Sequence, residues 1–144
     1  MCRIAGIYDP TLIDLKQRIV SMRDAMHRGG PDDLGVFVDE SQSLALGHRR
    51  LSLLDLTSAG HQPMQDVEKN IVIIYNGEIY NFQEVREILI SFGYHFITQT
   101  DTEVIIYAYL QWGTAYFSRF NGMFALEILI TATNKSYLPG IMQE

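Results

Sequence analysis

Hydrophobic positions along this chain fall in short dense runs between polar turns, and their period changes from segment to segment. Cys2 to Tyr8 is an isoleucine-rich apolar run closed by Asp9-Pro10, the pattern of a buried strand. Leu15, Ile19, Met22 and Met26 then recur at helical spacing and predict an amphipathic helix from about Leu12 to Met26. Turn residues His27-Arg28-Gly29-Gly30-Pro31-Asp32-Asp33 break it. Val36 to Val38 and Leu44 to Leu46 predict a hairpin-like strand pair. Asn70 to Tyr75 reads as another buried strand, stopped by Asn76-Gly77, and Phe82, Val85, Leu89 and Phe92 share one face of a second helix. Thr100 followed by Glu103 is a capping-box pattern that opens a third helix reaching about Trp112. From Met123 the chain turns β-like again. Strands grouped at both ends with helices between them predict layered sheets and helices, not a bundle or a sandwich.

Composition narrows the class. A length of 144 residues suits one domain, and 47% hydrophobic content can fill a core. A net charge of −6 argues against a nucleic-acid partner, which needs a basic face to neutralise phosphates. No apolar run approaches the ~20 residues of a membrane span, and the opening Met-Cys-Arg-Ile-Ala-Gly lacks the pattern of a signal peptide. The single cysteine excludes an intrachain disulfide and fits a reducing compartment. A cytoplasmic protein with neither membrane nor nucleic-acid partner is therefore expected. His27, His48, His61 and His95 are far apart and show no metal spacing, so no metal is expected.

The sole cysteine, Cys2, directly follows Met1. Removal of Met1 would leave a thiol and a free α-amine on one residue. Such an amine has a pKa of roughly 7.7–8.0 and can accept the thiol proton near neutral pH. A buried cysteine in a first strand is the plain alternative. Asn76-Gly77 offers a side-chain amide and a backbone N–H for a developing oxyanion, although Asn-Gly is also a strong hairpin-turn signal. A helix, not a matching strand, follows it. Arginine's planar fork suits a carboxylate, which makes Arg50 in Arg49-Arg50-Leu51-Ser52-Leu53-Leu54 a candidate anchor. Asp101 begins a capped helix, where the dipole favours its charge; alternatively it faces a pocket and, with Glu78, accepts from a substrate ammonium. Together these groups fit an α-amino acid with an attackable side-chain carbonyl, and glutamine has that form.

The chain resembles a class II glutamine amidotransferase domain of the N-terminal-nucleophile hydrolases, nearest to the glutaminase domain of glutamine-hydrolysing asparagine synthetases. Matching segments are Cys2 with Ile4-Ala5-Gly6, His27-Arg28 with Pro31-Asp32, Gly47 to Ser52, Gln62-Pro63-Met64, Tyr75 to Asn81, Asp101-Thr102-Glu103 and Gly122 to Ala125. The resemblance implies an α+β fold, a four-layer αββα sandwich. It implies Cys2 as nucleophile and base, with Asn76 and Gly77 as the oxyanion hole. Glutamine would be bound by Arg50, Leu51, Ser52, Leu53, Leu54, Asn76, Gly77, Glu78 and Asp101. It implies no cofactor here, with ATP and magnesium confined to an ammonia-accepting synthetase domain that this sequence lacks. The acceptor is aspartate or a related acid; amidation in surface polysaccharide assembly, and a non-catalytic glutamine-binding scaffold, are the alternatives. Two departures stand out: Arg3 replaces a small residue after the cysteine, and Gly30 is an extra glycine.

Past Ala125 the resemblance stops. Residues 2–126 read as the amidotransferase domain and 127–144 as an aberrant tail. Back-translated and read two nucleotides further on, the tail can encode the turn and strand the family has there. A shifted reading frame near codon 126 is the expectation, and with it an incomplete second sheet whose unpaired edge invites aggregation.

Overall fold

The computed structural model describes residues 1–66, 68 and 70–131. Its elements are β1 (Arg3–Tyr8), α1 (Leu15–Ala25), β2 (Asp33–Asp39), β3 (Leu44–Arg50), β4 (Met64–Asp66), β5 (Ile71–Ile79), α2 (Phe82–Ser91), α3 (Asp101–Trp112) and β6 (Gly122–Ile130). They form two antiparallel sheets, ordered β1-β3-β2 and β4-β5-β6.

Alternation along the strands sorts the core into three apolar clusters. Ala45 meets Leu15 and Ile19 of α1 on one face of the first sheet. Its neighbours Leu44 and Leu46 point the other way and pack with Val72, Ile74 and Leu129 of the second sheet. On the far face of that sheet Ile71, Ile73, Tyr75 and Ile128 pack against Val85 and Leu89 of α2 and Val104, Ile105 and Ala108 of α3.

Four sequence expectations are corrected. Asn76-Gly77 does not stop β5: pairing with β6 continues through Asn76↔Ala125, Gly77↔Phe124, Glu78↔Met123 and Ile79↔Gly122. A partner strand overrides the turn preference, and glycine permits the approach, since a Cβ on Gly77 would lie 2.5 Å from the Phe124 Cα. Strands β2 and β3 outrun their apolar runs, because β3 is central in its sheet and carries Arg49 and Arg50 into the interior. Arg49 is tolerated there through a 2.7 Å ion pair with Asp24. The capping box is only half built. Thr100 Oγ1 accepts from the Glu103 N–H at 3.3 Å, but the Glu103 carboxylate turns to the N–H groups of Ile97 (2.9 Å) and Thr98 (2.7 Å). The short β4 had no sequence signal, and Phe92, assigned to the apolar face of α2, is exposed.

Strand β6 runs past position 126 and pairs with β5 as far as Ile71↔Ile130. Most of the tail, residues 132–144, lies outside the described residues. Among the described residues, no helix is long and apolar enough to cross a membrane.

Candidate active site

Strand β1 pairs with β3 so that Arg3 faces Arg49, which brings Cys2 beside the chain leaving β3. The Leu51 N–H donates to Cys2 Sγ at 3.4 Å, and the sulfur lies 3.6 Å from the Leu51 carbonyl oxygen. The sulfur thus has a donor available to its thiolate and an acceptor available to its thiol. Met1 precedes Cys2 in the sequence, so the Cys2 nitrogen becomes a free amine only when Met1 is removed. Arg3 folds back over this end, its Nη1 donating to the carbonyl oxygens of Met1 (3.1 Å) and Cys2 (2.9 Å). Gly29 makes room for it, since a Cβ there would fall 2.6 Å from the Arg3 Cγ.

A cleft opens beside the sulfur. Of the residues singled out from sequence, Cys2, Arg50, Leu51, Leu53, Leu54, Gly77, Glu78 and Asp101 line it. Ser52 and Asn76 do not. The Ser52 N–H donates to Asp32 Oδ2 at 2.8 Å, tying down the loop. Asn76 alternates with Tyr75 and Gly77 along β5, and its Oδ1 is buried with no hydrogen-bond partner, so that atom is uncommitted to the protein.

Arg50 lines the cleft, but much of its guanidinium is already engaged. Nη1 donates to Thr57 O at 2.9 Å, and Nη2 donates to Leu54 O at 3.0 Å and to Asp55 O. Three of its five N–H donors therefore hold the loop after β3, and Nε–H and one Nη1 hydrogen remain. Asp55 fastens the same loop from outside, with Oδ2 accepting from the Gln99 N–H at 3.0 Å.

Asp101, at the first turn of α3, is buried, and burial pushes its carboxyl above the usual carboxylate range. Donors from Tyr75 Oη (2.6 Å) and the Ile79 N–H (3.4 Å), both to Oδ2, oppose that rise. Behind the cleft, His48 Nε2 lies 3.1 Å from the Tyr75 carbonyl oxygen, while His48 Nδ1 is buried and unpartnered. Burial lowers His48 to about 4, so the ring is neutral at pH 7 with its proton on Nε2.

Sequence reasoning did not single out Gln62, Tyr75, Tyr80, Thr100 or Thr102, all of which line the cleft. Gln62, Tyr75, Tyr80 and Thr102 stand inside the segments that carried the resemblance, and that was the available signal.

The fold is shared with a glutamine phosphoribosylpyrophosphate amidotransferase from Bacillus subtilis, at a TM-score of 0.52 and 20% identity, covering 65% of this chain and 23% of that one. A family profile described as a glutamine amidotransferase domain matches residues 1–138. The chain belongs to that family. Among its relatives, a putative glutamine-hydrolysing asparagine synthetase of Methanocaldococcus jannaschii is 40% identical over 87% of this chain and 27% of its own length. Asparagine synthetase B of Escherichia coli is 35% identical over 97% of this chain and 25% of its own length. The chain thus spans about a quarter of these relatives.

Proposed function

We propose that this chain, once Met1 is removed, hydrolyses the side-chain amide of glutamine. Cys2 Sγ attacks the amide carbon, its proton passing to the Cys2 α-amine. The electron pair moves to the carbonyl oxygen, which is stabilised by the Gly77 N–H at the cleft wall and by the Asn76 Nδ2 amide once that side chain turns in from outside the cleft. Collapse expels ammonia, protonated by the amine, and leaves a γ-glutamyl thioester. Water, activated by the same amine, then releases glutamate. The remaining Arg50 donors face the substrate carboxylate, Glu78 and Asp101 its ammonium, and Leu51, Leu53 and Leu54 the aliphatic stem. Hydrolysis of this kind needs no cofactor. One observation carries the reading: the sulfur of Cys2 opens into the same cleft as Arg50, Glu78 and Asp101.

The ammonia would serve an ATP- and magnesium-dependent synthetase domain that amidates aspartate or a related acid, in keeping with the names of the relatives. The finer architecture proposed is the four-layer αββα sandwich, supported by the three apolar clusters. Residues 127–144 are proposed to be out of frame with the family and to leave the second sheet incomplete. The buried, unpartnered Oε1 of Glu127 on β6 supports this, and sequencing the DNA at codon 126 tests it.

A second reading, glutamine binding without turnover, is favoured by Arg3, a large charged residue beside the nucleophile whose Nη1 donates to the Cys2 carbonyl oxygen at 2.9 Å; Met1 retained on the purified chain would favour it too. Ammonia release by chains sorted by intact mass, beside a Cys2→Ala control, separates the two. Release only from Met1-free chains with intact Cys2 is expected. Release surviving Cys2→Ala overturns the mechanism.

A further inference from the structure

Tyr75 is held at three points. Its N–H donates to Gln62 Oε1 at 2.7 Å, its carbonyl oxygen meets His48 Nε2 at 3.1 Å, and its hydroxyl donates to Asp101 Oδ2 at 2.6 Å. Gln62 in turn donates from Nε2 to Thr102 Oγ1 at 3.3 Å, linking the strand to the first turn of α3 beside Asp101. Tyr75, Gln62 and Asp101 are all buried, so the phenol and the carboxylate meet away from bulk water. A buried phenol needs some hydrogen-bond partner, and in a core that partner is most often a backbone carbonyl. This one spends its hydroxyl on a single carboxylate oxygen of a cleft-lining residue.

A carboxylate that receives an ammonium must be ionised and must keep an oxygen turned to the ligand. The Tyr75 hydroxyl serves both needs. Its hydrogen bond to Oδ2 stabilises the charged form of a buried acid and fixes the orientation of that carboxylate at the cleft wall. We propose that Tyr75 is a positioning residue for recognition of the substrate α-ammonium, acting through Asp101. This rests on the reading of the cleft as a glutamine site.

Burial raises the Tyr75 hydroxyl far above its ordinary range, so it remains a donor at every working pH. The other ionisable groups lining the cleft with Asp101 are Cys2, Arg50, Glu78, Tyr80 and, while Met1 is present, its α-amine. Glu103 and Thr100 on the neighbouring turn are engaged with Thr98 and with each other.

Binding to the full Cys2→Ala chain, measured by calorimetry, tests the proposal without turnover. The ligands are glutamine and glutaramic acid, which is glutamine without its α-amine. Tyr75→Phe keeps the ring and is expected to weaken glutamine about 10–100-fold, the effect of losing a hydrogen bond to a charged group, while glutaramic acid changes less than twofold. The acid limb of glutamine affinity should move to higher pH in Tyr75→Phe, and Tyr75→Phe should move it no further in an Asp101→Asn background. Equal weakening of both ligands, or unchanged glutamine affinity, overturns the role of Tyr75. Should Asp101→Asn itself leave glutamine affinity intact, the ammonium site has been misplaced and the underlying reading of the cleft fails instead.

Discussion

The Leu51 N–H donates to Cys2 Sγ across 3.4 Å, so the residue just after β3 holds the sulfur of the residue just before β1. The β1–β3 pairing that creates this contact fixes the thiol, whereas the α-amine base exists only once Met1 is removed. Chains that retain Met1 should therefore release ammonia from glutamine at least ~100-fold more slowly than chains that have lost it, the usual worth of a positioned general base. Intact mass assigns each preparation and an ammonia assay reads the rate. Equal rates would show that the α-amine is not the base.

Gly60 is a steric requirement of Arg50. A Cβ on Gly60 would fall 2.5 Å from the Arg50 Cζ, with Nη2 closer still. Gly60→Ala should displace the guanidinium from its carbonyl partners and raise the KM for glutamine about tenfold, with a smaller change in kcat. A hydrogen bond to a charged group contributes about 1.5–3 kcal/mol, which sets that scale. Steady-state kinetics check it.

His48 makes the fold acid-sensitive. Its ordinary pKa of 6.5 falls to about 4 on burial. Between those values the unfolded chain binds a proton that the folded chain refuses. Its contribution is thus complete above pH 6.5 and is lost as pH falls toward 4, by up to roughly 3 kcal/mol. His48→Gln keeps a donor for the Tyr75 carbonyl and does not titrate, so it should flatten the loss of Tm between pH 6.5 and 4.

Glu127 works in the opposite direction. Burial raises it from 4.5 to about 7, so here the folded chain holds the extra proton. Its charge penalty is absent below pH 4.5 and grows as pH rises through 7. Glu127→Gln should match the parent Tm near pH 4.5 and exceed it by about 2–5 °C at pH 8. A Tm difference that does not vary with pH would contradict the burial of this carboxylate.

What the sequence revealed depended on how local the cause was. Helix α3 was legible because Thr100 caps it within three residues, and α1 because Leu15 and Ile19 repeat at one helical turn. The continuation of β5 through Asn76-Gly77 was not, since its cause is β6, some fifty residues later in the chain. The burial of Arg49 and Arg50 was not legible either, because it depends on Asp24 and on the carbonyls of Leu54 and Thr57, which receive them. Cys2, Gly77, Glu78 and Asp101 were found by their chemistry and by resemblance, and the structure gathers them at one cleft. Tyr75 escaped notice because a tyrosine in an apolar strand looks like packing. Its hydroxyl became meaningful only when α3 brought Asp101 to it.

The most direct test is covalent capture of the nucleophile. Met1-free chain is treated with the glutamine-analogue electrophile diazo-oxo-norleucine and mapped by peptide mass spectrometry, with and without excess glutamine. One adduct on Cys2, suppressed by glutamine, is the expected result. An adduct elsewhere, or labelling of Cys2 that glutamine does not suppress, would contradict a glutamine site built around this sulfur.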